Sequence, residues 1–247
     1  MALTLQPLEG IPEVLPDTDL AEVIAAAAEL RDGDVVVVAH KVVSKAEGRV
    51  VDLSAVLPSA RARALGRLLG KDPRFVEVVL AESAAVLRAE RGVLICRTRH
   101  GFVCANAGVD NSNAPRAGTV VLLPADPDRS ARALRAALRE RTGARVGVVI
   151  TDSFGRAWRN GQQEIAIGCA GILPLRDLRG TADLRGLSLQ ATWIAVADEL
   201  ASAADLVRDK RSRQPVVIAR GGQVAVTDED GPGAAALVRP AAEDLFS

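Results

Sequence analysis

The chain has 247 residues, 49% of them apolar but only 2% aromatic, and 31 basic side chains balance 31 acidic ones. That length buries a sizeable core, while neutrality and scarce aromatics argue against a nucleic-acid or anionic-membrane partner and leave a small molecule as the expected one. No apolar run approaches the ~20 residues of a membrane helix. Met1–Pro7 lacks a secretory pattern, and three cysteines without CxxC spacing read as reduced thiols of a cytoplasmic protein.

Taken in chain order, Asp19–Leu30 has helical periodicity, with Asp17 or Thr18 placed to cap it. A turn at Arg31–Asp34 leads into Val35–Ala39, a β-branched run of the length of a buried strand. Ser54–Leu69 is studded with arginine and predicts a surface helix. Gly92–Arg97 and Gly101–Ala105 flank Thr98–His100 as a hairpin, and Val120–Leu123 is a further short strand. Asp128–Arg141 is strongly amphipathic, followed by a buried strand at Val146–Ile150. Ala191–Val207 predicts a long helix, Val216–Ala219 a strand, and the apolar pair in Glu243–Phe246 a docked tail. Helices and strands alternate without regular βαβ units, so the expected class is α+β, mixed sheets with flanking helices. Nothing resembles a linker or repeat, and residues 1–247 read as one domain or two interlocked subdomains.

Three segments carry chemistry. In Thr151–Gly161 a strand ends in Asp152-Ser153, which puts a carboxylate and a hydroxyl at its tip. Both are hard oxygen ligands of the kind that share Mg²⁺ or Mn²⁺ with phosphate. Behind them Arg156, Arg159 and Asn160 supply donors for substrate anions, and Gly155 and Gly161 leave room for a ligand. The second segment, Asn106–Asn113, clusters Asp110 with amides and a hydroxyl after a glycine, without the acid spacing of an EF-hand. The third, His40–Arg49, follows a buried strand and offers Lys41 and Lys45 to nucleotide phosphates, although no Walker A loop is present. The two histidines, His40 and His100, stand in no zinc spacing, and no GxSxG elbow points to acyl-enzyme chemistry. Phosphoryl transfer assisted by metal and cationic clamps suits these residues better.

Together the segments resemble the coenzyme F420-0:L-glutamate ligase family. The similarity rests on Lys41–Arg49, Ala107–Asn113, Ile150–Gln162, Val196–Val207 and the tail Glu243–Phe246, in order along nearly the whole chain. The resemblance implies an F420 gamma-glutamyl ligase-like fold and an intertwined homodimer. It further implies a GTP-dependent ligase that forms an amide between L-glutamate and the carboxylate of F420-0 through an acyl phosphate, with further γ-linked glutamates as an extension. It implies two divalent ions, Mg²⁺ or Mn²⁺, with K⁺ as an optional third cation. Carried over by motif, Asp110, Asp152 and Ser153 are the metal ligands. Asn113, the turn Gly10-Ile11-Pro12-Glu13, and His40, Lys41 and Lys45 are the nucleotide contacts. Two positions depart from the pattern. His40 replaces Ser or Gln, and Lys210 falls where an acid or amide helps to hold metal, leaving Asp209 as a substitute or Lys210 as a phosphate contact. A related ligase acting on another acid, or a non-catalytic nucleotide-binding module, are the competing readings.

Overall fold

The computed structural model describes residues 2–208, 211 and 213–244. Strand β1 (Leu3–Pro7) opens the chain and helix α1 (Leu20–Ala27) follows. Asp19, not Asp17 or Thr18, caps α1 by accepting a hydrogen bond from Glu22 N at 2.9 Å. Asp17 takes the left-handed conformation, and the Thr18 hydroxyl accepts from Leu15 N instead. Strand β2 (Val35–Ala39) passes without a turn into helix α2 (His40–Ala46). The His40–Arg49 segment that follows the strand is thus helical at its start, and His40, Ser44 and Lys45 are buried on it.

Strand β3 (Val50–Asp52) comes next. The helix expected over Ser54–Leu69 is broken by Pro58 into a short 3-10 turn, Leu53–Ala55, and α3 (Ala60–Leu69). Helix α4 (Pro73–Glu82) and strand β4 (Ser83–Glu90) were not evident from periodicity. The predicted hairpin forms as β5 (Val93–Thr98) and β6 (Val103–Ala105), and β7 (Thr119–Val121) follows. Helix α5 (Pro127–Thr142) is capped by Asp126 and ends at Gly143 in the left-handed conformation. Strands β8 (Gly147–Arg156) and β9 (Arg159–Ala170) form a long hairpin. A two-stranded ribbon, β10 (Arg176–Asp177) and β11 (Trp193–Ile194), precedes α6 (Val196–Asp205) and β12 (Val216–Gly221). The aromatic and β-branched pair at Trp193-Ile194 takes strand geometry, which shortens the helix expected from Ala191.

The class is mixed α+β. The central sheet runs β1-β12-β2-β8-β9, and only β2 and β8 are parallel within it. Alternation along each strand assigns its faces. Val36, Val38, Val148 and Ile150 pack with α1 and α5, while Val35, Val37, Val149 and Val217 pack with α6. A third apolar cluster joins α3 and α4 to β5 and β7. Among the described residues no helix is long and apolar enough to cross a membrane. The tail residues Leu245 and Phe246 lie outside the described residues.

Candidate active site

The carboxyl ends of the parallel pair β2 and β8 open on a cavity of about 420 Å³. Such ends are where α/β sheets bind ligands, because the chains diverge there and leave polar termini around a crevice. Helix α2 begins at this point, which places His40, Lys41 and Lys45 on the cavity wall. From β8 come Thr151, Asp152 and Ser153, and from the N-terminal turn Ile11, Pro12 and Glu13. Gly10 turns the chain at φ +75°, a conformation that favours glycine, without itself lining the cavity. Asn113 completes the wall from the Asp110 segment.

Strand β8 does not end in Asp152-Ser153, as the sequence suggested; it continues to Arg156, so both residues lie within the hairpin and not at a strand tip. Their direction is set by a bulge. Ile150 pairs with Gly168 but Thr151 with Ala166, so β9 carries one extra residue there. The shift brings Glu164 opposite Ser153.

Several contacts fix the cations. Lys41 Nζ donates to Asp110 Oδ2 and to Ser112 Oγ, both at 2.7 Å. Burial pushes the Asp110 carboxyl up, but the hydrogen bonds from Lys41 and Ser112 outweigh it and leave the group below the usual carboxylate range. Asp110 thus stays ionised one layer behind the wall, and Lys41 links it to the cavity. The approach to Asp110 is a strained turn: Asn106, Ala107 and Gly108 are consecutive left-handed residues at φ 53°, 51° and 72°. Lys45 Nζ donates to Glu13 Oε1 at 2.6 Å, which ties the N-terminal turn to α2.

His40 is 1% exposed, with Nδ1 3.3 Å from Ser44 Oγ. Its Nε2 comes within 3.2 Å of Asp152 Oδ1 without hydrogen-bond geometry, so it is a buried nitrogen with no hydrogen-bond partner. The Asp152 Oδ1 atom accepts instead from Ser153 N at 2.8 Å. Burial, then the Asp152 charge, pushes the Cys104 thiol up to about 12.

Two residues that the sequence did not single out stand in the same wall. Arg208 Nη2 donates to Glu164 Oε2 at 2.9 Å and to Thr151 Oγ1 at 3.0 Å, and Ser153 Oγ donates to Glu164 Oε1. Nothing in a linear reading marked Glu164, whose role follows from the register of β9. Arg156, Arg159 and Asn160 lie outside the cavity lining, on the exposed end of the β8–β9 hairpin. There Arg156 Nη2 donates to the Asn160 carbonyl at 2.6 Å. Asp209 and Lys210 lie outside the described residues.

The donor set suits a hard divalent cation. Asp152 and Ser153 offer oxygen, and among the described residues no three His, Cys, Asp or Glu side chains converge on one point. An ion held by one or two carboxylates takes its remaining ligands from water and phosphate oxygens, which is the habit of Mg²⁺ rather than of structural zinc.

A family model described as F420-0:Gamma-glutamyl ligase matches residues 10–221. The chain is 48% identical over 246 residues to the coenzyme F420:L-glutamate ligase of Methanopyrus kandleri, covering 99% of this chain and 97% of that protein. The like-named protein of Methanothermobacter thermautotrophicus is 42% identical over 252 residues, covering 100% of this chain and 99% of the relative. That of Methanocaldococcus jannaschii is 43% identical over 229 residues, covering 92% and 90%.

Proposed function

The chain belongs to the F420-0:gamma-glutamyl ligase family, and on that premise we propose that it joins L-glutamate to the carboxyl group of coenzyme F420-0 with GTP as co-substrate. The observation that carries this reading is the meeting of oxygen ligands, Asp152 and Ser153, with ammonium groups, Lys41 and Lys45, around one cavity.

A carboxylate is a poor electrophile until one of its oxygens becomes a leaving group. Transfer of the γ-phosphoryl group of GTP to that oxygen gives an acyl phosphate and GDP. The glutamate amine then attacks the acyl carbon, phosphate departs with the C–O bond electrons, and the amine loses its proton as the amide forms. Phosphoryl transfer depends on positioning and charge neutralisation more than on a protein nucleophile. That suits a wall in which, among the described residues, no Cys stands.

Asp152 and Ser153 at the wall, with Asp110 behind Lys41, would hold Mg²⁺ or Mn²⁺, and K⁺ would be an optional further cation. Bound there, the divalent ions would offset the repulsion between triphosphate and carboxylate. Lys41 and Lys45 neutralise phosphate oxygens, each already oriented by a carboxylate partner. Ile11–Glu13, His40 and Asn113 border the nucleotide. Arg156, Arg159 and Asn160 meet anionic groups of the substrates where these project beyond the cavity, and further γ-linked glutamates extend in the same direction. The exposed Leu184, Leu187 and Trp193 of the ribbon segment support assembly as a homodimer.

Labelling both carboxylate oxygens of F420-0 with ¹⁸O tests the mechanism. The acyl-phosphate route delivers one labelled oxygen to each phosphate released with the amide. Phosphate free of label would overturn it.

A further inference from the structure

We infer that Glu164 is a positioning residue that fixes Ser153 as a lone-pair donor toward the cavity, an inference that rests on the metal-assisted reading above. The bulge in β9 is the first observation. With the pairing of Ile150 and Gly168 continued unbroken, Ser153 would face Ile165, an apolar side chain; the extra residue brings Glu164 there instead. Bulges of this kind re-aim side chains beside active sites.

The second observation is where the hydroxyl proton goes. A serine hydroxyl has one proton and two lone pairs. The Ser153 proton is donated to Glu164 Oε1, so what Ser153 presents in any other direction is acceptor character. A cation accepts that; a phosphate oxygen is repelled by it.

The third observation is that Glu164 is itself held. Its other oxygen accepts from Arg208 Nη2 at 2.9 Å, and the same nitrogen donates to Thr151 Oγ1 at 3.0 Å. The Glu164 and Arg208 side chains are 6% and 7% exposed, so water does not compete for them. With each oxygen held by a protein donor, Glu164 is oriented toward Ser153 and Arg208, and the inferred route of its influence on a cation is through Ser153. It is thus the outer carboxylate that orients a ligand, and loss of such partners weakens metal binding roughly 10–100-fold.

A double-mutant cycle on the full-length chain separates this role from others. Mn²⁺ binding is followed by the paramagnetic resonance signal of the free ion, with GDP present, for the unmodified chain, Glu164→Gln, Ser153→Ala and the double variant. Each single substitution is expected to weaken Mn²⁺ binding roughly 10–100-fold, and the double variant to bind no more weakly than Ser153→Ala alone. In a Ser153→Thr background, which keeps the hydroxyl, Glu164→Gln is expected to retain its full effect. Additive losses, or unaltered binding in Glu164→Gln, would overturn the inference while leaving the proposed function intact. An unmodified chain that binds no Mn²⁺ with GDP would overturn both. If Glu164→Gln alone fails to fold because Arg208 is left buried without its partner, Glu164→Gln with Arg208→Gln takes its place in the cycle, with the same outcomes expected.

Discussion

Asp177 accepts from the Arg179 backbone N at 2.9 Å and from its guanidinium at 2.9 and 2.6 Å. Those hydrogen bonds hold its carboxyl down at about 2. A depressed carboxylate contributes its stabilisation above the ordinary carboxylate range and loses it as pH falls toward the folded value. The contribution of Asp177 is therefore complete at neutral pH and fades between about 4 and 2. The carboxyl carbon resonance of Asp177 should titrate with a midpoint near 2, and Arg179→Gln, which keeps the backbone donor but removes the guanidinium, should raise it toward the ordinary range. At this scale the sequence made half of the candidate site legible. Asp152, Ser153, Lys41 and Lys45 announce hard-oxygen and phosphate chemistry by residue type and spacing, and all line the cavity. Glu164 and Arg208 do not, because their partnership spans 44 residues and exists only once β9 has taken its bulged register. Arg156 and Arg159 have suitable chemistry, but they stand at the end of β8 and the start of β9, where the hairpin has run past the cavity.

Between elements, β9 fits closely against the start of α5. A Cβ added at Gly168 would come inside contact distance of the Pro127 carbonyl, which is backbone and cannot swing aside. Gly168→Ala should therefore destabilise the protein by about 1–3 kcal/mol, the usual range for overpacking. Urea unfolding should show a lower midpoint with an unchanged slope. The buried runs of strands β2, β8 and β12 were legible because unbroken β-branched runs have few alternatives. Helix α2 was not. It starts on the residue after a strand, has no side-chain cap, and its seven residues are too short for periodicity to show. Strand β9 escaped for a different reason. Its exposed half, from Arg159 to Gln162, reads as a polar loop, and only pairing with β8 makes it a strand.

Across the whole molecule, the order β1-β12-β2-β8-β9 joins the first strand to the last, and no local pattern predicts such neighbours. Asp128 closes the arrangement from within. Its carboxylate accepts from Cys169 N at 2.9 Å, Ala234 N at 2.7 Å and Ala235 N at 3.1 Å, which fastens α5 to β9 and to the C-terminal region. Asp128→Ala strands those donors, and at about 1–3 kcal/mol for each buried group left without a partner it should remove about 3 kcal/mol or more. Amide hydrogen exchange should quicken at Ala234 and Ala235 before the central sheet opens. The proposed reaction joins a carboxylate to an amine at the expense of GTP around Asp152. The most direct measurement mixes the chain with F420-0, L-glutamate, GTP and Mn²⁺ and follows product mass, GDP and phosphate together. The expected result is glutamyl-F420-0, GDP and phosphate in equal amounts, dependence on all four additions, and a loss of at least about 100-fold in Asp152→Ala, in line with removing one transition-state charge stabiliser. Amide formed without GTP, or turnover untouched by Asp152→Ala, would contradict it.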